Sequence, residues 1–190
     1  IQILSIDLIT DILPAIGLGN EPPEADIMQR PPRRRDERMV SLKTFIRSYG
    51  IIGPAEAGLS FGAFFLVLAA GGWLWGTPLS MDDPLHLQAS GAFLAAIIFS
   101  QIGNVMACRT SRQSAAPYIF RINWIIFLGI IVEIAFILSV IYIPGMHHLF
   151  SALPFEPWTW WLILSAPIVI FIIEEGRKYM VRHGVRSLAD

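Results

Sequence analysis

IQILSIDLITDILPAIGL, residues Ile1–Leu18, is an apolar run interrupted by Asp7 and Asp11, with Thr10 between them and Pro14 just beyond. Four residues is about one helical turn, so both carboxylates are expected to project from one face of a helix. A charge in the middle of a membrane helix costs about 2.5–3.5 kcal/mol on insertion scales, and such a residue is seldom there without a use. Pro14 supplies no N–H, and its ring pushes away the carbonyl four residues back, that of Thr10. The stretch therefore offers two carboxylates, a hydroxyl and a freed carbonyl. These are hard oxygen ligands of the kind alkali and alkaline-earth cations take. Taken alone, the run also reads as a soluble amphipathic helix that happens to carry two acids.

The rest of the chain decides between the two. It is 54% hydrophobic and only 15% charged, with a mean hydropathy of +0.57, far from an ordinary soluble domain. A helix needs ~20 apolar residues to span the hydrocarbon core. Four further runs qualify: Ile51–Trp75, Ala89–Ala107, Ile122–Ile143 and Trp158–Ile173, the last short but preceded by Leu149–Phe155, which can lie at the interface. The fold class expected is all-α, a polytopic membrane helical bundle of five transmembrane helices. Residues 1–18 form the first helix, 19–48 a Pro/Arg-rich cytoplasmic loop, 49–173 four further spans and 174–190 a cytoplasmic tail.

The net charge of −1 conceals an asymmetry. All 14 Lys and Arg residues fall in three places: Arg30–Arg47 between the first two spans, Arg109–Arg121 between the third and fourth, and Arg177–Arg186 after the fifth. The loops Gly76–Gln88 and Pro144–Pro157 contain neither residue type. Alternation of this kind obeys the positive-inside rule and puts the C-terminus in the cytoplasm and the N-terminus outside. Ile1 is not a natural start, no signal-peptide pattern precedes the first run, and the chain reads as an excerpt of a longer protein. Cys108 is the single cysteine, so an internal disulfide is excluded and an inert thiol at the membrane boundary is expected.

The polar residues that remain carry two readings each. NEPPEADIMQRPPRRRDERM, from Asn20 to Met39, is broken by proline pairs. Its Arg run suits either a nucleic-acid or anionic-lipid patch, or a solvated loop that fixes topology and docks on a cytoplasmic domain, and the second fits its position better. The second span has a small-residue face through Gly53, Ala57, Gly58 and Gly62 that favours close helix approach. Glu56, near its end, suits snorkelling better than ion binding. Gln101 and Asn104 share a helix face and can complete an ion shell or bond a neighbouring span. Glu133 sits near a span's midplane, where it must be protonated, paired, or part of an ion or proton route. His147 and His148, with Trp158, Trp160 and Trp161 nearby, read as interfacial anchors rather than a metal site. Glu174, Glu175, Arg177 and Lys178 read as a mixed-charge anchor closing the last span.

IDLITDILPAIGLGNEPPEADIMQRPPR resembles the sixth transmembrane helix and following loop of P-type cation-transporting ATPases. The likeness is greatest to the sodium/potassium-pump class with its bacterial and archaeal relatives. It continues in order through QIGNVMACRTSRQS, YIPGM and FIIEEGRKYMVR and covers nearly the whole chain. The resemblance implies helices six to ten of a pump's membrane domain. It matches Asp7 and Asp11 to two acidic cation ligands, Thr10 to the neighbouring hydroxyl, Gln101 to a third-sodium-site position and Glu133 to an acid of the ninth helix. Asp7 is the subclass marker, since calcium pumps of the sarcoplasmic type usually have Asn there. Asn104 stands where the sodium pump has an aspartate of its third sodium site, so three-sodium stoichiometry does not carry over. The loop Gly76–Gln88 is much shorter than the one that docks the animal pump's β subunit, and no β subunit is expected.

The function expected is the carboxylate-supplying, C-terminal part of the transport domain of an ATP-driven cation pump in the cell membrane. The cargo would be Na+, K+ or Ca2+. Neither the DKTGT phosphorylation motif nor a Walker A loop occurs in the chain. ATP and Mg2+ are therefore assigned to cytoplasmic domains elsewhere in the parent, and no catalysis of ATP hydrolysis is expected of this segment alone. Its expected partners are upstream helices and cytoplasmic domains of the same pump and the lipid bilayer, with no nucleic acid. Two rival readings are a proton-coupled secondary transporter or channel using Asp11 and Glu133, and a non-catalytic membrane scaffold.

Overall fold

A computed structural model describes residues 2–10, 12–24, 27–29 and 42–183, and every regular element among them is helical. Four helices are long and apolar enough to cross a membrane: Thr44–Ala70, Pro84–Cys108, Trp124–Tyr142 and Thr159–Arg182. Asp11 and the run Pro31–Ser41 lie outside the described residues, so the Arg-rich loop reading is not addressed by the fold.

The N-terminal segment is built from three pieces. Helix α1 (Gln2–Ser5) passes into a wider π-helical turn over Ile6–Thr10, and α2 (Ile12–Gly19) follows. A second π turn, Ser48–Ile52, joins α3 (Leu42–Arg47) to α4 (Gly53–Ala70), and Gly53 N–H bonds the Ser48 carbonyl across it. Both wide turns stand just ahead of a proline. The residue four before Pro14 is Thr10 and that before Pro54 is Gly50, so each wide turn contains the carbonyl that the proline ring would strike in a tighter helix.

Helix α5 (Pro84–Cys108) starts under an Asp83 cap, whose Oδ1 accepts from Leu85 N–H at 2.8 Å. Asn123 caps α6 (Trp124–Tyr142) in the same way. A short α7 (Pro144–Phe150) occupies the segment read from sequence as a loop, and α8 (Thr159–Arg182) runs well past the apolar run ending at Ile173. Helix α5 is the central element: Ala89, Ala92, Ala95 and Ala96 are fully buried between α4 and α8. Small side chains there let the backbones approach, as in membrane bundles generally.

Glycines mark the closest crossings. A Cβ on Gly103 of α5 would lie 2.4 Å from the Pro167 carbonyl oxygen of α8. One on Gly17 would lie 2.6 Å from Ile126, and one on Gly129 3.0 Å from the Pro14 ring. The small-residue face expected on α4 is not a crossing, because a Cβ on Gly58 or Gly62 would meet nothing within 4 Å. α4 instead buries Ser60, Ala63, Val67 and Leu68. Gly58 and Gly62 lie on its other side, and spacing alone could not show which side packs.

Described residues of the three basic segments, Arg47, Arg109 and Arg177, meet at one end of the bundle. Arg109 pairs with Glu21, Arg47 with Glu174 at 2.7 Å, and Arg177 reaches the Ser111 carbonyl at 3.1 Å. The loops without Lys or Arg meet at the other end, where Leu153 N–H bonds the Leu87 carbonyl at 3.1 Å.

Candidate intramembrane cation site

Gly17 against Ile126 and Pro14 against Gly129 fix an antiparallel register between α2 and α6. The π turn that carries Thr10 also packs against α6, which carries Glu133. Both are inaccessible, Thr10 at 0% and Glu133 at 1% exposure. Burial of a carboxyl to this extent is costly unless it is neutralised or partnered.

Gln101 comes to the same spot from α5. The Thr10 hydroxyl faces Gln101 Oε1 at 3.3 Å and the Ile6 carbonyl at 2.5 Å. The Thr10 hydroxyl thus lies between a backbone carbonyl and a side-chain amide, three oxygen-bearing groups at one place. The π turn creates this arrangement by holding Ile6 and Thr10 together on the buried side, while Pro14 withholds the N–H that would cover the Thr10 carbonyl. Wide turns of this kind often mark functional positions in helices.

Asn104 does not join the group. It lies one turn nearer the basic end, and its Oδ1 accepts from the Cys108 thiol at 3.5 Å. For Asp7 only the backbone, within the π turn, is described, and Asp11 lies outside the described residues. Among the described residues, no group of three or more His, Cys, Asp or Glu side chains could hold a metal ion. His147 bonds the Ile141 carbonyl at 2.9 Å.

Two features escaped the sequence. Ser100, beside Gln101, is fully buried and its hydroxyl has no hydrogen-bond partner among the described residues. A serine in an apolar run gives no signal of its own, although its spacing of four from Asn104 puts them on one face. The second is the polar clamp at the basic end of α2. Arg109 bonds Glu21 at 3.0 and 2.7 Å and the Arg121 carbonyl at 2.9 Å, and it also reaches the Tyr118 carbonyl. Asn123 donates to Glu21 at 2.7 Å and to the Gly17 carbonyl at 3.0 Å. This clamp fixes the lower end of the helix that carries Thr10.

The charged cluster of α8 is likewise a packing feature rather than a surface anchor. Glu174, Arg177 and Lys178 are at most 2% exposed. Lys178 donates to the Ala107 carbonyl at 2.7 Å and to Thr110 at 3.0 Å, and Glu175 accepts from Ser114 and Ala115. The i, i+3 spacing was visible in sequence. The partners, some seventy residues away, were not.

Comparison with known proteins agrees with this architecture. The family profile described as "Cation transporting ATPase, C-terminus" matches residues 1–180. Sodium/potassium-transporting ATPase subunit alpha-1 of Anguilla anguilla is 30% identical over 209 residues, covering 97% of this chain and 20% of the relative. Subunit alpha-3 of Gallus gallus is 31% identical, covering 97% of this chain and 21% of its own length. The Drosophila melanogaster alpha subunit is 29% identical with coverage of 97% and 20%. The chain thus spans about a fifth of the length of these curated relatives. With its long apolar helices and a profile match along nearly its whole length, the chain belongs to the C-terminal family of cation-transporting ATPases and is a multi-pass membrane segment.

Proposed function

We propose that this segment supplies the cation-binding helix, and the spans that support it, to an ATP-driven pump related to the sodium/potassium-transporting ATPases. The observation that carries the reading is the convergence of Thr10, the Ile6 carbonyl and Gln101 at a π turn that packs against α6 with its buried Glu133. Hydroxyl, backbone carbonyl and amide oxygens gathered at one place are the hard ligands that alkali and alkaline-earth cations take. Asp7 and Asp11 provide the carboxylates of the site, Thr10 the hydroxyl, and Gln101 and Glu133 its outer partners. The transported ion is Na+, K+ or Ca2+. ATP and Mg2+ act in cytoplasmic domains of the parent, whose phosphorylation switches access to the site between the two sides of the membrane.

In this reading residues 1–18 are a fifth span, the clamped basic end faces the cytoplasm, and the N-terminus lies outside. The short connection between α4 and α5 leaves no platform for a β subunit, so the parent works without one. A proton-coupled carrier is the second reading, favoured by the burial of Glu133 on the helix that packs against the Thr10 turn. A parent protein with no phosphorylation domain would select it.

The test is ATPase activity of the purified parent protein against sodium, potassium, calcium and magnesium. One cation is expected to stimulate turnover, and Asp11→Asn is expected to abolish that stimulation while Asp7→Asn changes the preferred cation. Stimulation that persists undiminished in Asp11→Asn removes the carboxylate from the mechanism.

A further inference from the structure

Asn123 serves two helices with one side chain. Its Oδ1 accepts from Ile125 N–H at 3.2 Å and from Ile126 N–H at 3.4 Å, which caps α6. Its Nδ2 donates to the Gly17 carbonyl of α2 at 3.0 Å and to Glu21 Oε2 at 2.7 Å. Only one orientation of the amide satisfies this set. The carbonyl and the carboxylate can only accept, and the two backbone N–H groups can only donate. The start of α6 and the last turn of α2 are thereby held as one unit.

The bond to Gly17 differs in kind from the packing beside it. Gly17 meets Ile126, and Gly129 meets Pro14, in close contact. Packing of apolar surface is non-directional, so it opposes separation more than sliding. A hydrogen bond fixes direction as well as distance. The Arg109–Glu21 pair does not substitute for it, because Glu21 lies beyond the end of α2 at Gly19, whereas Gly17 is inside the helix.

Toward the π turn the helix is less firmly tied along its own axis. Pro14 supplies no N–H to the Thr10 carbonyl, and the backbone widens over Ile6–Thr10. From Thr10 to Gly17 is about 10 Å at 1.5 Å per residue. Gln101 belongs to α5, so any slip of α2 along α6 changes the 3.3 Å separation of Thr10 and Gln101. We infer that Asn123 is a positioning residue for the cation site: through Gly17 it sets where along α6 the Thr10 turn stands, and so the spacing of the oxygens gathered there. This inference rests on the cation-pump reading of that site.

The test is the half-activating cation concentration and maximal turnover of the intact parent's ATPase, in N123S and N123D. Ser and Asp are both good helix caps, so the start of α6 stays intact, and neither carries an amide for Gly17. Asp keeps the volume of Asn and Ser adds no charge, so an effect common to both comes from neither a cavity nor a repulsion. Each is expected to raise the half-activating concentration about tenfold while maximal turnover stays within about twofold, because remote misplacement of ligands weakens binding. Wild-type half-activation in both variants, with or without a fall in thermal stability, reduces Asn123 to a helix cap and overturns the role. If one variant does not assemble, the other decides. Failure of both to assemble also overturns it, since a positioning residue whose cap is preserved leaves the fold standing. A wild type that sodium, potassium and calcium all fail to activate overturns the pump reading itself, whereas an activated wild type with unmoved variants overturns the positioning role alone.

Discussion

Thr10 shows how one side chain acquires a role through its neighbours. Its hydroxyl is ordinary, but the π turn and Pro14 place it within reach of two other oxygens, those of the Ile6 carbonyl and the Gln101 amide. Replacing Gln101 with Leu removes one of those oxygens and leaves an apolar group of similar size. In the intact pump this is expected to weaken the activating cation by about tenfold, consistent with loss of one buried polar contact of about 1–1.5 kcal/mol. Cation-concentration dependence of ATPase activity measures it, and an unchanged half-saturation point shows that Gln101 merely packs. Thr10 and Pro14 were legible in the sequence, because each is chemically conspicuous in an apolar run. Ser100 was not, since a buried hydroxyl is distinguished only by the partners it lacks.

At the scale of elements, the long helices were legible because hydrophobic length is fixed by the bilayer, which requires ~20 residues per span. Their ends were less so. α8 continues to Arg182 because Glu174, Arg177 and Lys178 find partners in the α5–α6 connection, and a hydropathy pattern cannot anticipate that. The two π turns were also invisible, though a proline four residues beyond a wide turn's carbonyl supplies their physical cause. Glycine roles divided along the same line. Gly103→Ala places a methyl group 2.4 Å from a backbone oxygen that cannot swing aside, so a loss of about 1–3 kcal/mol is expected. Gly62→Ala enters open space and should change stability by no more than about 0.5 kcal/mol. Thermal unfolding of the two variants in one detergent compares them directly. Equal melting temperatures would mean that the α5–α8 crossing relaxes.

For the whole molecule, the polar contacts at the basic end matter most. Arg109 and Glu21 have side chains only 1% and 7% exposed, and they connect the helix carrying Thr10 to the α5–α6 connection. Breaking a buried pair from one side leaves an uncompensated charge, at a cost of about 3–5 kcal/mol. Glu21→Gln and Arg109→Met are each expected to destabilise the protein strongly. The double variant should cost clearly less than the sum of the two, because neither charge is then stranded. Additive losses in chemical unfolding would show that the pair is not coupled. The alternating charge of the loops had already foretold that the basic segments share one end. It said nothing of their interlocking, since that depends on pairings across the chain.

The Arg47–Glu174 contact has a consequence for biosynthesis. Its two residues stand in α3, ahead of α4, and near the end of α8, so the bond cannot close until almost the entire segment has left the ribosome. At about 5–20 residues per second, translation leaves α3 waiting roughly 6–25 s for its acidic partner. During that interval the earlier helices sit in the translocon or membrane without the cross-brace. A nascent chain stalled before Glu174 should therefore be recognised by membrane quality control as unfinished, even though most of its spans have been inserted.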